Sequence, residues 1–104
     1  MSSFQTAADF EKCLNTNFRV ELTSPHPIDV KLVAVTPRKS EPNEETGMER
    51  FSAVFAGPND VFLPQNTYHF THPEMGEFDV FLVPLAPEAN EFRYEAVYNY
   101  YRPA

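Results

Sequence analysis

Two histidines three residues apart, His69 and His72, form the spacing in this chain most suggestive of chemistry. On a helix, His-x-x-His can offer two imidazoles to one metal ion, but Thr67 to Thr71 reads as a strand. Residues three apart on a strand point to opposite faces, and zinc would require further ligands close by. Glu77 and Asp79 are the acids that a hairpin would bring across from them. The plainer reading gives His72 to a His-Pro turn and His69 to the sheet, and no metal site is expected.

Cys13 would need a neighbouring base and a lowered pKa to act as a nucleophile. It lies beside the apolar face of a short helix, where cysteine serves as a small hydrophobe. Carboxylate-pair chemistry needs two acids held across a cleft, whereas Glu41, Glu44 and Glu45 fall in a loop and Glu77, Asp79 and Glu95 on strand faces read as solvated. The glycines, Gly47, Gly57 and Gly76, all sit in turn contexts, so there is no glycine-rich phosphate loop. No nucleophile elbow is present either. The chain is therefore expected to be no enzyme, with no catalytic residue and no cofactor.

A chain of 104 residues has room for one domain and one modest core. Its net charge of -7 disfavours nucleic-acid binding, which needs Lys and Arg to displace phosphate counterions. The acidity serves solubility through self-repulsion. A single cysteine forbids an intramolecular disulfide, which suits a reducing compartment. The opening Met1-Ser-Ser-Phe-Gln lacks the basic and apolar regions of a signal peptide. No stretch approaches the about 18 apolar residues of a membrane span. A soluble protein, cytoplasmic at synthesis and without membrane partners, is the expectation.

Thr6-Ala-Ala-Asp9 has the form of a helix start, with a hydroxyl cap and a first-turn acid. Phe10 and Leu14 share a face, so a short helix is expected over about residues 6–14, ended by Asn15-Thr-Asn17. The period then becomes two. Phe18, Val20 and Leu22 alternate with polar residues, as do Phe51, Ala53 and Phe55, and Phe92, Tyr94, Ala96 and Tyr98. Val30 to Thr36 and Glu77 to Leu85 are apolar on both faces, which predicts cover on both sides. Residues 37–48 read as a mobile polar loop and residues 100–104 as a tail. The predicted fold is mainly β: a small antiparallel sandwich or barrel of about six strands with one short N-terminal helix.

An aromatic surplus remains. Tyr94, Tyr98, Tyr100 and Tyr101 crowd the C-terminus, and tyrosine suits interfaces because it joins apolar area to a polar tip. Ordinary packing of a small sheet explains them equally well. Tyr98, Tyr100 and Tyr101 are the candidate partner-binding residues.

Several stretches resemble a family of small, uncharacterised bacterial proteins: Glu49-Arg-Phe-Ser-Ala-Val-Phe-Ala-Gly-Pro58, Leu63-Pro-Gln-Asn-Thr-Tyr68, His72-Pro-Glu-Met-Gly-Glu-Phe78, Phe81-Leu-Val-Pro84 and Tyr94-Glu-Ala-Val-Tyr-Asn99. Asp9-Phe-Glu11 and Phe18-Arg-Val20 fit as well. The resemblance transfers no activity. It implies a setting similar to that of small partners of phage-tail-collar (microcystin-dependent-type) fibre proteins, and hence incorporation into an extracellular or phage-tail-like assembly. Three function classes follow. The first is a non-enzymatic structural or interaction module that pairs with itself or a fibre-type protein, by strand addition at a sheet edge. The second is a ligand-binding barrel with an aromatic interior of Phe55, Phe70, Phe81 and Tyr94. The third is an acidic nucleic-acid mimic, which requires carboxylates gathered on one face.

Overall fold

The computed structural model describes residues 6–23, 26–37, 48–88 and 90–101. A helix, α1 (Ala7–Glu11), precedes six strands: β1 (Asn17–Val20), β2 (Ile28–Pro37), β3 (Met48–Gly57), β4 (Asn66–His72), β5 (Gly76–Pro84) and β6 (Phe92–Tyr101). The expected loop at 38–47 and residues 102–104 of the expected tail lie outside the described residues.

All neighbouring strands are antiparallel and close into a barrel in the order β1-β2-β3-β6-β5-β4. Of the two architectures open at the sequence level, this is the barrel. Closure removes the edges at which strands apolar on both faces would aggregate, but the cover expected on both faces of β5 is absent, since Phe81 on its outer face is 51% exposed. Every described strand has a neighbour on both sides, although β5 and β6 are paired at two positions, Val83↔Glu95 and Pro84↔Tyr94. Residues Tyr100 and Tyr101 belong to β6 and pair with Glu49 and Met48, so the last strand takes up the start of the expected tail.

Alternation places Phe18 and Val20, Val30 and Leu32, Phe51, Ala53 and Phe55, Phe70, Phe78, Val80 and Leu82, and Tyr94 and Ala96 in the interior. A β-bulge between Leu32 and Ala34 inserts one residue into β2. Beyond it the phase reverses: Ala34 pairs with outward Val54, and Val35 pairs with inward Ala53. The two-faced appearance of Val30 to Thr36 is this phase change, since a bulge sets two residues against one.

Helix α1 is shorter than its sequence pattern. Thr6 caps it by a reciprocal box, its Oγ1 accepting from Asp9 N (3.2 Å) and its own N–H donating to Asp9 Oδ2 (3.1 Å). The chain then turns, and Asn15 adopts a left-handed φ of 67° while donating its N–H to the Leu32 carbonyl. So short a helix has no independent stability. Its anchor is Phe10, fully buried with its ring 5.5–6.4 Å from those of Phe18, Phe51, Phe55, Phe78 and Tyr98. Phe10 plugs the barrel.

The connection from β3 to β4 must pass between strands that are not neighbours. Two tyrosine hydroxyls hold it: Tyr94 OH accepts from Leu63 N (3.0 Å), and Tyr68 OH donates to the Pro64 carbonyl (2.5 Å). Leu63 is thereby buried as well.

Candidate functional site

The β4–β5 hairpin places both histidines. Its ladder ends at His72↔Gly76, where Gly76 takes the positive φ of 81° that the turn requires. Counting back, His69 lies opposite Asp79 on the outer face and diagonal to Glu77. Its Nδ1 lies 2.9 Å from Asp79 Oδ1 and its Nε2 lies 3.1 Å from Glu77 Oε1. The hydrogen bond to Asp79, then that to Glu77, raises the His69 pKa against a weaker opposing effect of burial. With one carboxylate on each ring nitrogen, the three side chains do not converge on a common point. They form a charge clamp. Among the described residues, no three His, Cys, Asp or Glu side chains are grouped to hold a metal ion.

A raised folded pKa means that the clamp contributes fully below the unfolded ring value of about 6.5 and is lost as pH rises through the folded value. Titration of the His69 ring by NMR is expected to give a midpoint above 6.5, lowered more by Asp79→Asn than by Glu77→Gln. An unchanged midpoint in both variants would contradict the geometry.

His72 points the other way and is buried, 7% exposed. The ring packs against Phe18 at a 4.3 Å centroid distance, tilted by 34°. Cys13 is equally enclosed, and burial first, then the charges of Glu74 and Asp9, pushes its thiol pKa up. That is the opposite of an activated nucleophile.

Of the candidate tyrosines, Tyr98 turns inward. Its ring stacks on Phe51 at 4.7 Å and 16° and packs against the core beside Phe10. The side chains of Tyr100 and Tyr101 lie outside the described residues. Phe55, Phe70 and Tyr94 are interior as expected, but Phe81 is not: it projects outward from β5 and is 51% exposed. The buried rings pack at 5.3–6.4 Å centroid separations in the barrel interior.

The outside of the barrel divides in two. Over β1, β4 and β5 it is polar and cross-linked: Arg19 pairs with Glu21 (3.2 Å), Thr71 Oγ1 donates to Glu21 (2.8 Å), and His69 holds its two acids. Over β2, β3, β6 and β5 it is richer in apolar residues, with Ser52, Arg93 and Glu95 among them. Ala34, Val54, Glu95 and Val83 form one row across the four strands. The next outward positions of β6 and β5 are Val97, 48% exposed, and Phe81. Beside this row a hollow of about 450 Å³ is lined by Val33, Ala34, Val54, Leu85 and Ala86. At its rim Arg93 is held by Glu88 (3.8 Å) and Glu91 (3.2 Å). Sequence periodicity marks these residues as outward, yet it cannot say that outward residues from four strands adjoin, because that depends on the order β2-β3-β6-β5.

A plugged six-stranded antiparallel barrel, with one outer half polar and the other richer in apolar residues, defines a small β-barrel domain. The chain belongs to the family described as a domain of unknown function (DUF6916), whose model matches residues 5–98. That description carries no activity to transfer. No curated protein and no solved structure matches the chain. Among the described residues, no helix is long and apolar enough to cross a membrane.

Proposed function

We propose that this protein is a non-enzymatic interaction module whose outer apolar belt, centred on Phe81 and Val97, docks a partner protein. The belt carries the reading. Exposed apolar area bordered by polar residues marks interaction surfaces; here Glu88 and Arg93 border the hollow, and Glu95 stands within the belt between Val54 and Val83. The net charge of -7 opposes self-association. The fitting occupant is a different protein, apolar at the centre of its contact and basic around it. The resemblance to small partners of phage-tail-collar fibre proteins favours a fibre-type protein as that occupant. The mutual packing of the buried rings counts against the ligand-binding alternative. Glu21, Glu77, Asp79, Glu88 and Glu91 are each paired with Arg19, His69 or Arg93, which counts against a nucleic-acid mimic.

The test is calorimetric titration of the purified chain with the collar-type fibre protein encoded nearest to it. Phe81→Ser/Val97→Ser is expected to weaken binding by about tenfold or more, the scale of losing central apolar contacts, with the fold unchanged by circular dichroism. No binding by the wild type, or equal binding by the variant, would remove the belt from the account. Sedimentation of the chain alone is expected to show a monomer.

A further inference from the structure

We infer that His72 is an acid-sensitive latch, joining the turn after α1 to the tip of the β4–β5 hairpin only while its ring is neutral. The hydrogen bonds settle the tautomer. Nδ1 accepts from the backbone N–H of Glu74 (3.0 Å) and of Met75 (3.3 Å), so it carries no proton. The ring hydrogen is therefore on Nε2, which donates to Thr16 Oγ1 (2.9 Å), and Thr16 in turn donates to the Cys13 carbonyl (2.5 Å). This chain of bonds ties two segments far apart in sequence.

A second proton has one place to go, Nδ1, where two N–H donors already point. An imidazolium has no acceptor, so both bonds must break and a buried charge is left facing two donors. Burial lowers the His72 pKa in agreement with this, and the charge of Glu74 opposes it only in part. The other charged groups around the latch are Arg19 and Glu77, which share its hollow, and Asp9 and Lys12, which with Glu74 act on Cys13. Opposite signs are mixed among them, and no carboxylate bonds the ring among the described contacts.

The direction of the switch follows. The open form titrates at about 6.5 and the closed form lower, so protons favour opening as pH falls through that interval. Opening frees the hairpin tip at Pro73–Met75 and the turn at Cys13–Thr16, on the side of the barrel that Phe10 plugs.

Hydrogen exchange of the intact chain, corrected for intrinsic rates, tests this. Between pH 7.5 and 5.0 the protection of the Glu74 and Met75 amides is expected to fall by on the order of tenfold or more, and reversibly. In His72→Gln, whose amide can donate and accept without titrating, protection is expected to be independent of pH. Constant protection in the wild type, or the same loss in the variant, would overturn the latch. Should that variant fail to fold, NMR titration of the wild type decides. The His72 ring is expected to titrate below 6.5, with the Glu74 and Met75 amide shifts following the same midpoint. An ordinary ring midpoint, or amides that do not follow it, would refute the proposal.

Discussion

Phe10→Ala is expected to destabilise the protein by about 3–5 kcal/mol, the range for removing a fully buried aromatic ring. Phe10 supplies the buried ring of α1 and touches aromatic rings from β1, β3, β5 and β6. The barrel wall cannot collapse into the space, because its strands are fixed to one another by ladder hydrogen bonds. A cavity therefore remains, and the helix loses its anchor at the same time. Against a total stability of about 5–15 kcal/mol, this is a large fraction. The melting temperature should fall by at least roughly 12 °C, readable by circular dichroism. A loss below about 1 kcal/mol would show that α1 is an ornament on the barrel rather than its plug.

Tyr94 is the second site of large effect, and two substitutions separate its parts. Tyr94→Ala removes a fully buried ring, at a cost of about 3–5 kcal/mol. Tyr94→Phe keeps the ring but deprives the buried Leu63 N–H of its acceptor, at about 1–3 kcal/mol. Denaturant melts of both variants, with unchanged slopes, would measure the two contributions. If Tyr94→Phe were neutral, the β3–β4 connection would not depend on that bond. The hydroxyl titrates above its usual range because burial disfavours the phenolate, an effect the Leu63 N–H opposes.

Alternation alone made the six strands legible, and the cap at Thr6 and Asp9 made the helix start legible. Sandwich and barrel remained indistinguishable because closure depends on pairs such as Arg19↔Thr71, which no local pattern records. The bulge after Leu32 was visible only as a strand that looked apolar on both sides. Phe81 was grouped with the interior rings by residue type, although its parity with Glu77 and Asp79 marks it as outward. Tyr98 shares parity with Tyr94 and Ala96, so its inward ring was readable too; its place near the C-terminus suggested exposure instead. The clamp on His69 was half legible. A His72-to-Gly76 turn fixes the register that sets Asp79 opposite it, but whether the acids bind the ring or the solvent is decided by side-chain geometry.

The route by which the barrel closes also governs how the chain reaches its native state. The hairpins of β1 with β2 and of β4 with β5 join near neighbours in sequence, whereas Met48 must find Tyr101 and Arg19 must find Thr71. Each of those distant encounters spends loop entropy before any contact rewards it. Topologies dominated by such pairings fold in about milliseconds to seconds, with apolar strands transiently uncovered. Closing the barrel requires those distant pairings, and closure completes the burial of Phe78 and Leu82.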